Sequence, residues 1–391
     1  MNSFVKQLLI ILLVFSLFLC RSGELSPGGA ADVVRNPVYL LMGLFAGRFA
    51  GAGGNNLPRN FRTSGGSLFA VGNSDTLLES TDGNNFIRQT YTLPNCTKQF
   101  GSSSFTDCNI MSVAKSGSNY YAIGIKEVGN RGSGFTNISE RKFYFGFGNS
   151  LQGIQFNEIT DANISSSSTN QFFNIIPSAA SGSGFVFSFN DSSNTSKVCG
   201  SSNNGGSWSC VNPPTTGSQP LNIEILNGTM VAGIYYRWNG TFTPVTTTNN
   251  GSFNSMFYSA GRSHLASGNQ IRYIDTDPSA WPNPTTTTTS TVASPVTSGN
   301  YTILGTVSGV FSAIGSEFIS GTNNSYRFTT IDNGVNWSRQ NLISISSGFS
   351  ASGQSATING TVFIYAQTNS GNFSQKFFKS TNFTEWAEFN P

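Results

Sequence analysis

The sequence predicts an all-β protein in which many short antiparallel strands are joined by tight turns. Its 391 residues include 43 Gly and 33 Phe, only 10% are charged, and one short turn pattern recurs along the chain. Long helices require more Ala, Leu, Glu and Lys than this composition offers. The length is sufficient for one large domain or two ordinary ones, and the 37% of hydrophobic residues can supply a core.

Charge is sparse and nearly balanced along the chain, with a formal net charge of +3. A nucleic-acid-binding protein that neutralises phosphates needs a larger cationic excess, and a charge-driven disordered chain needs a larger net charge. We therefore expect neither a nucleic-acid partner nor disorder of that kind. The single histidine, His264, excludes any site that requires two imidazoles.

Residues 1–19 have the pattern of a secretory signal peptide. A short basic lead, Met1 to Lys6, precedes an apolar run from Leu8 to Leu19. Twelve helical residues extend only about 18 Å, which is too short for a hydrocarbon layer of about 30 Å. The run is therefore interpreted as a signal core rather than a membrane span.

The end of this run, Leu17-Phe18-Leu19-Cys20, resembles a bacterial lipoprotein signal. The resemblance implies that Cys20 is diacylated and becomes the first mature residue. The sequence departs from the family pattern at Leu19, where Gly, Ala or Ser is usual. The alternative is ordinary cleavage at a small-residue site such as Gly29-Ala30-Ala31.

Residues 20–60 are interpreted as a lipidated, Gly/Ala-rich tether. Its apolar segment at 38–46 is too short and too glycine-broken to span a membrane, and it can dock on the folded domain or on lipid. The protein is therefore expected at the outer membrane or cell surface, attached through the lipid, with the periplasmic face as the alternative.

Four further cysteines support export and predict two disulfide bonds. Four cysteines allow three connectivities, and the simplest one pairs Cys96 with Cys108 and Cys199 with Cys210. The alternative is four buried free thiols. Each bond would close a loop of about a dozen residues and stabilise the fold by about 3 kcal/mol.

A turn pattern recurs through the rest of the chain: Ser or Thr, a gap, Asp or Asn, usually Gly, and then an aromatic residue. A degraded copy at 149–156 keeps only Gly153 and the aromatic. The better copies comprise Ser80, Asp82, Gly83 and Phe86; Ser201, Asn203, Gly205 and Trp208; Asp275, Asp277 and Trp281; Thr330, Asp332, Gly334 and Trp337; and Ser380, Asn382 and Trp386.

These residue types favour a tight hairpin turn. The Asp or Asn side chain accepts hydrogen bonds from turn amides, and the hydroxyl adds another. Glycine supplies a positive φ, and the aromatic ring can fold back beneath the turn. Strand-like runs such as 67–72 and 76–78 precede the copies. Cys199 and Cys210 flank one turn, so their bond would join opposite strands at its base.

The pattern resembles the Asp-box, or bacterial neuraminidase repeat, of sialidase-like β-propellers and of propellers related to the photosystem II assembly factor. The stretch from Leu68 to Gly83 is similar to a repeat of the latter kind. The resemblance covers most of residues 61–391 and implies that this region is a β-propeller. It also implies that the turn carboxylates are structural, because Asp-boxes lie away from the catalytic axis in that family.

The spacing of the copies predicts seven four-stranded blades, with six or eight as the alternatives. Gaps of 70, 52, 73, 56 and 49 residues separate the turn aromatics. The gap of 73 has room for a blade whose motif has decayed, with strands at 222–226 and 230–234. The gap of 70 is attributed to a loop insertion at 129–139. Residues 61–391 then give about 47 residues per blade, a usual repeat length. The threonine-rich stretch 282–298 is predicted to be an exposed loop.

The family resemblance raises the question of sialidase catalysis, which uses three arginines, a Tyr–Glu nucleophile pair and an Asp acid/base. Arg62 lies at the place of the first arginine, but Thr63 and Ser64 follow it instead of the family's Ile-Pro. Four other arginines could supply partners, although nothing in their spacing requires it: Arg237, Arg262, Arg272 and Arg327. No catalytic residue is predicted.

No cofactor or metal is predicted either. Asp275 and Asp277 offer oxygen ligands for Ca²⁺ but too few of them, so both are interpreted as turn residues. The sequence has no phosphate-binding loop and no Cys–His nucleophile arrangement. We interpret His264 as a surface or inter-blade hydrogen-bonding residue.

What remains is a binding module, because propellers present a broad polar face and a central funnel made of loops from every blade. We expect a monomeric, non-enzymatic, envelope-tethered propeller that binds protein or glycan partners in adhesion or assembly. The alternatives are a sialidase-like glycoside hydrolase and a structural lipoprotein with no dedicated ligand.

Overall fold

The computed structural model of the protein describes residues 60–72, 74–100, 104–131, 136–164, 176–190, 195–213, 221–245, 253, 255–267, 270–281, 286–293, 299–307, 310–319, 322–341, 349–368 and 375–389. The predicted signal peptide at 1–19, Cys20 and the apolar segment at 38–46 lie outside these residues. Within the described part of the chain, no helix has both the length and the apolar character needed to cross a membrane.

The chain forms a seven-bladed β-propeller of antiparallel sheets, as the sequence predicts. Each blade has four strands in chain order, and two blades carry a fifth. The first three blades consist of β1 (Asn60–Ser64), β2 (Ser67–Val71), β3 (Thr76–Ser80) and β4 (Ile87–Thr90); β5 (Gln99–Phe100), β6 (Ser104–Ser116), β7 (Asn119–Arg131), β8 (Thr136–Gly148) and β9 (Gln155–Glu158); and β10 (Ser178–Ser181), β11 (Gly184–Asn190), β12 (Ser196–Ser201) and β13 (Ser209–Val211).

Blade 4 confirms the prediction of a blade without a recognisable turn motif, and blade 5 contains a short 3-10 helix at Pro278–Ala280. Blades 4 to 7 consist of β14 (Ile223–Leu226), β15 (Thr229–Ala232), β16 (Tyr236–Trp238) and β17 (Phe242–Pro244); β18 (Ser255–Ser259), β19 (Arg262–Ser267), β20 (Gln270–Ile274) and β21 (Thr288–Thr289); β22 (Thr291–Val292), β23 (Gly299–Val307), β24 (Val310–Ile319), β25 (Thr322–Thr330) and β26 (Asn336–Asn341); and β27 (Phe349–Ile358), β28 (Thr361–Thr368), β29 (Gln375–Ser380) and β30 (Ala387–Phe389).

The blades close into a ring because the inner strand of each blade contacts the inner strand of the next. The inner strands are β1, β6, β10, β14, β18, β23 and β27, and β27 in turn contacts β1. Among the described strands, none is exchanged between blades 7 and 1. Side chains close this seam instead. Thr63 Oγ1 donates to the carbonyl of Thr357 at 2.9 Å and accepts from its amide at 3.1 Å.

The core lies between adjacent blades and is rich in aromatic rings. Between blades 2 and 3, the rings of Tyr121 and Phe185 stack with centroids 5.7 Å apart, and Phe143 packs on Phe189 at 4.8 Å. Burying one such ring contributes roughly 1.5–3 kcal/mol. Each blade therefore depends on its neighbours for a large part of its stability.

The prediction of a loop insertion at 129–139 is wrong for residues 129–131 and 136–139, because these residues extend a long hairpin. β7 and β8 have thirteen residues each and stay paired out to Arg131 and Thr136. Glu127 lies opposite Arg141 in this register, and Arg141 Nη2 approaches Glu127 Oε1 to 2.6 Å. The backbone ladder continues through these residues despite the polar, glycine-containing sequence that indicated a loop.

The prediction of an exposed loop at 282–298 is right about exposure for most of the described residues, but its central part forms two short strands. Thr288–Thr289 pairs with β20 in blade 5, whereas Thr291–Val292 pairs in parallel with β26 in blade 6. Ser290 between them is buried, and its hydroxyl donates to the carbonyl of Gly334 at 2.6 Å. Threonine is β-branched and suits strands, and here the stretch connects two neighbouring blades.

Candidate binding site

The predicted turn residues of blade 1 lie between its third and fourth strands. Ser80 Oγ donates to Asp82 Oδ1 at 2.9 Å and accepts from the amide of Gly83 at 2.8 Å. The same carboxylate oxygen accepts from the amides of Asn84 and Asn85, both at 2.8 Å. These amides, that of Asn85 first, hold the pKa of Asp82 well below its ordinary value.

Blade 6 has the same arrangement at Thr330 and Asp332. Thr330 Oγ1 donates to Asp332 Oδ1 at 2.8 Å and accepts from the amide of Gly334 at 2.9 Å. The backbone and side-chain amides of Asn336 both donate to the Asp332 carboxylate, and they lower its pKa to about 2. Both carboxylates are thus occupied within their own turns.

In blades 3 and 7 an asparagine amide oxygen takes the same position. Asn203 Oδ1 accepts from the amide of Ser207 at 2.9 Å, and Asn382 Oδ1 accepts from the amides of Thr384 and Glu385 at 2.9 Å. The hydroxyls of Ser201 and Ser380 cap both turns. A neutral acceptor is therefore sufficient to organise this turn.

The turn glycines also lie where one blade meets the preceding blade. Gly83, Gly205 and Gly334 have φ between 76° and 85°. A Cβ on them would come within 2.6 Å of Phe363, 2.4 Å of Phe145 and 2.5 Å of His264, respectively. The left-handed backbone and the close approach of a ring from the neighbouring blade both require glycine here.

The connection in blade 5 differs from the hairpin turn that the sequence predicts. Asp275 accepts from Arg262 Nε at 2.5 Å, whereas Asp277 caps the 3-10 helix by accepting from the amide of Ser279 at 2.8 Å. Trp281 is buried, and its Nε1 donates to the carbonyl of Thr276 at 3.1 Å. The acid-and-aromatic pattern thus organises a longer connection in this blade.

The predicted turn aromatics differ in burial. The side chains of Phe156, Trp337 and Trp386 are buried, whereas Phe86 and Trp208 are half-buried. Each half-buried ring still packs on aromatic neighbours, as Trp208 does on Phe145 with centroids 5.3 Å apart.

Both predicted disulfide bonds are present. Cys199 and Cys210 are register partners on β12 and β13 with their Cα atoms 4.1 Å apart, so the bond joins the two strands at the base of the turn. Cys96 and Cys108 join the connection after blade 1 to the inner strand of blade 2. Two such bonds are typical of proteins that fold in an oxidising, exported environment.

Arg62, the arginine at the sialidase-like position, reaches across the centre of the ring. Its Nη2 donates to the carbonyl of Ile223 at 2.7 Å. Blades 1 and 4 are not neighbours, so this bond links opposite inner strands. Burial lowers the pKa of Arg62 and raises that of Glu224, and the attraction between the two charges opposes both shifts. The Arg62 guanidinium is therefore engaged within the protein.

The other four arginines bind different groups and are not assembled around Arg62. Arg262 donates to Asp275 and to the carbonyl of Asn333, and Arg272 donates to Gln270. Arg327 lies over the ring of Phe383, and Arg237 Nη1 donates to the carbonyl of Ser279. The described residues therefore show no three-arginine cluster.

A buried tyrosine–carboxylate pair, which the sequence did not indicate, lies between blades 1 and 2. Tyr120 Oη donates to Glu79 at 3.0 Å, and Lys115 Nζ and Ser67 Oγ donate to the same carboxylate at 3.0 and 2.6 Å. Burial raises the pKa of Tyr120, so the phenol stays protonated. No arginine contacts this cluster within the described chain, and its contacts join blade 1 to blade 2.

His264 is an inter-blade residue, consistent with one of the two interpretations of the sequence. Its side chain is fully buried on β19, and Nε2 lies 3.3 Å from Asn333 Oδ1 in the turn of blade 6. Burial lowers its pKa to about 4, an effect that the hydrogen bond from Nε2 to Asn333 Oδ1 opposes. The ring is neutral at physiological pH.

A cavity of about 660 Å³ opens at the ends of blades 3 and 4. It lies beside the connection between β16 and β17, where only residues 239–241 join the strands, compared with six residues in blade 1 and seven in blade 3. The cavity thus adjoins the blade whose turn motif has decayed.

The lining of this cavity combines apolar and polar surface and has one charged residue. Arg237 provides the charge, Met230 and Trp238 provide apolar surface, and four glycines and Asn239 add backbone and amide groups. The hydroxyl groups come from Ser181, Ser183, Ser202, Thr229, Thr243 and Ser279. Among the described residues that line the cavity there is no carboxylate, imidazole, phenol or thiol. The arrangement can bind polar groups but offers no acid/base pair.

Within the described residues, no group of three or more His, Cys, Asp or Glu side chains is placed to hold a metal ion. No protein-family model matches the chain, and no curated protein matches its sequence.

Comparison with solved structures finds chains of similar fold. A protein of unknown function from Dyadobacter fermentans DSM 18053 is 10% identical with a TM-score of 0.38, covering 76% of this chain and 88% of that one. Trypanosoma rangeli sialidase is 10% identical with a TM-score of 0.41, covering 84% and 55%. A puromycin hydrolase is 8% identical with a TM-score of 0.47, covering 87% and 55%. The chain therefore spans about half the length of the last two, and the likeness concerns the fold alone.

Proposed function

We propose that this chain is an exported, lipid-anchored, non-enzymatic β-propeller of the Asp-box type that binds glycan or protein partners at the cell envelope. The observation that carries the proposal is the chemistry of the blade 3–4 cavity. Its lining offers hydroxyl, amide and guanidinium groups for hydrogen bonding, but no pair of titratable groups for general acid/base catalysis.

The size of the cavity and the hydroxyl groups in its lining favour a glycan. A volume of about 660 Å³ is in the usual range for small-molecule sites. Serine and threonine hydroxyls both donate and accept, which matches the hydroxyl groups of a sugar. The turn residues support the Asp-box assignment, because their acceptors are occupied by their own turns and are not free for a ligand.

Export and lipid attachment draw support from the signal-like residues 1–19, from Cys20 and from the two disulfide bonds. The test is metabolic labelling of the full chain with an alkyne-tagged fatty acid. We expect label on the wild type and none on Cys20→Ala, with the variant released from the membrane fraction. Equal labelling of both chains would contradict the lipid anchor.

Binding is tested with the purified chain on a panel of immobilised glycans and extracellular matrix proteins. We expect saturable binding to a subset of glycans without their turnover. Loss of that binding in Ser181→Trp, which places a bulky side chain in the cavity, would locate it there. A chain that binds no member of the panel would refute the proposal.

The second candidate is a sialidase-like glycoside hydrolase, favoured by the position of Arg62 and by the Tyr120–Glu79 pair. Its difficulty is that Arg62 is already bonded to blade 4 and that the pair is buried between two blades. Hydrolysis of a fluorogenic sialoside that is lost on Arg62→Ala but kept on Arg88→Ala would establish this function and overturn the first. Arg88 is exposed on β4 and serves as the matched control.

A further inference from the structure

We propose that the blade 3–4 cavity binds a carboxylate-bearing sugar of an acidic glycan, with Arg237 as the residue that binds the carboxylate. The proposal rests on the binding function given above and adds the class of ligand and its anchoring residue.

The cavity contains a cation that is not paired with a carboxylate. Arg237 is the one charged residue among the described residues that line it. No described carboxylate forms an ion pair with Arg237, whereas Arg262 is paired with Asp275 and Arg339 with Glu317. A cation without a paired carboxylate, in a cavity whose other lining residues are uncharged, favours an anionic ligand.

Asp277 does not neutralise this charge through direct contact. It lies two residues before Ser279, and its carboxylate accepts from the amide and hydroxyl of Ser279, from Asn227 and from the hydroxyl of Tyr258. The acid nearest in sequence to the cavity lining is therefore committed to its own connection.

A hydrogen bond orients the guanidinium group of Arg237. Arg237 Nη1 donates to the carbonyl of Ser279, which fixes one side of the planar group. The Nε atom is buried and has no hydrogen-bond partner among the described residues. A guanidinium group binds the two oxygens of a carboxylate through parallel hydrogen bonds, and Nη1 and Nη2 form the end of the Arg237 side chain that can do so.

The remaining lining explains why the acid is a sugar acid. Ser181, Ser183 and Ser202 come from blade 3, and Thr229 and Thr243 come from blade 4. They line the same cavity as the cation and bring hydroxyl groups from two blades. A small anion would use only the guanidinium, whereas a sugar acid places its ring hydroxyls against these groups as well.

The experiment compares glycans at equal density on a surface: uronate-containing, sulfated, phosphorylated and neutral oligosaccharides, and the methyl esters of the uronates. The full chain and three variants are measured by surface plasmon resonance. The variants are Arg237→Gln, which removes the charge, Arg237→Lys, which keeps the charge without the fork, and Arg88→Gln, which makes the same charge change on exposed β4.

We expect the wild type to bind uronate glycans and to lose at least tenfold in affinity on their methyl esters. Arg237→Gln should lose tenfold or more, Arg237→Lys should lie between Gln and wild type, and Arg88→Gln should bind like wild type. Thermal melts of all four chains show whether each variant is folded. The wild-type affinity should also fall as salt is raised.

Three results would overturn the proposal. Uronate binding that Arg237→Gln leaves unchanged would place the site elsewhere, and a preference for neutral, sulfated or phosphorylated glycans would give it another ligand class. In both cases glycan binding persists and the proposed function stands. Absence of binding to every glycan and protein would remove both together.

Discussion

His264 occupies a position that other blades fill with phenylalanine. It meets the turn glycine of blade 6, as Phe145 meets that of blade 3 and Phe363 that of blade 1. An imidazole in this buried place must stay neutral, and burial lowers its pKa from 6.5 to about 4. The unfolded chain therefore takes up this proton at a higher pH than the folded chain does.

This linkage predicts a pH-dependent stability with a defined window. The contribution of neutral His264 is complete above pH 6.5 and is lost as pH falls towards 4, because protonation favours the unfolded state. We expect the free energy of unfolding to fall by about 2 kcal/mol from pH 7 to pH 5 on this account. Urea unfolding at several pH values measures it.

The control for this prediction is His264→Phe, which keeps a ring in the position. The fall in stability assigned to His264 should be absent from this variant, so the difference between the two chains separates it from groups such as Glu224, whose raised pKa gives its own pH dependence. The turn carboxylates do not interfere, because Asp82 and Asp332 have lowered pKa values and lose their contribution only below about pH 4. An unchanged slope in the variant would assign the pH dependence to other groups.

We expect two substitutions of Asp332 to lower the stability of the protein by different amounts. Asn203 and Asn382 perform the same role in blades 3 and 7, so Asp332→Asn should cost little. Asp332→Ala leaves the amide of Asn336 without its acceptor and should cost about 1–2 kcal/mol. Equal losses for the two variants in thermal or urea unfolding would show that the charge, and not the acceptor, organises the turn.

The disulfide bond of the β12–β13 hairpin should contribute measurably to the stability of the protein. The Cys199–Cys210 bond closes a loop with a sequence separation of 11. Replacing both cysteines by alanine should lower stability by about 2–3 kcal/mol. Wild type in reducing buffer should fall by more, because reduction also opens Cys96–Cys108. No difference between the oxidised wild type and the double variant would mean that the bond adds nothing to strand pairing.

The sequence could predict the elements that local chemistry determines. The turns at Ser80, Ser201, Thr330 and Ser380 are recognisable because each is organised within about five residues. Elements that depend on distant partners were missed. Thr291–Val292 becomes a strand only because β26, more than forty residues later, offers an edge. The β7–β8 extension likewise depends on the cross-strand pairing of Glu127 with Arg141.

The candidate site was predictable only in part for the same reason. The decayed motif of blade 4 was visible in the spacing, but the cavity beside it is formed by residues from three blades. In the sequence, Arg237 is one of several arginines, and nothing local distinguishes it from Arg272. Its place in the cavity depends on Ser279 of blade 5, whose carbonyl accepts a hydrogen bond from Nη1.

The ring of seven blades closes at the seam between blades 7 and 1, so substitutions at this seam test the closure. Phe61 is fully buried and packs on Phe363, Phe377 and Phe389 with centroids 5.8, 5.1 and 5.7 Å away. Phe61→Ala should cost about 3–5 kcal/mol. Hydrogen exchange should rise first in β1 and β27, because these strands meet across the seam.

Phe185→Ala is the matched control, since Phe185 is equally buried between blades 2 and 3. We expect a similar loss of overall stability with faster exchange in β8 and β11 instead. If both variants increased exchange uniformly around the ring, the blades would open as one unit and the seam would have no special weakness.

Because no strand is exchanged among the described blades, the chain termini need not lie between blades 7 and 1. Every blade is a complete consecutive segment, and the rings of Phe61 and Phe389 nearly touch at the two ends of the described fold. The folded propeller therefore does not depend on which blade comes first in the chain. A circular permutant that joins residue 389 to residue 60 through a short linker and has its new termini between blades 3 and 4 should form the same fold.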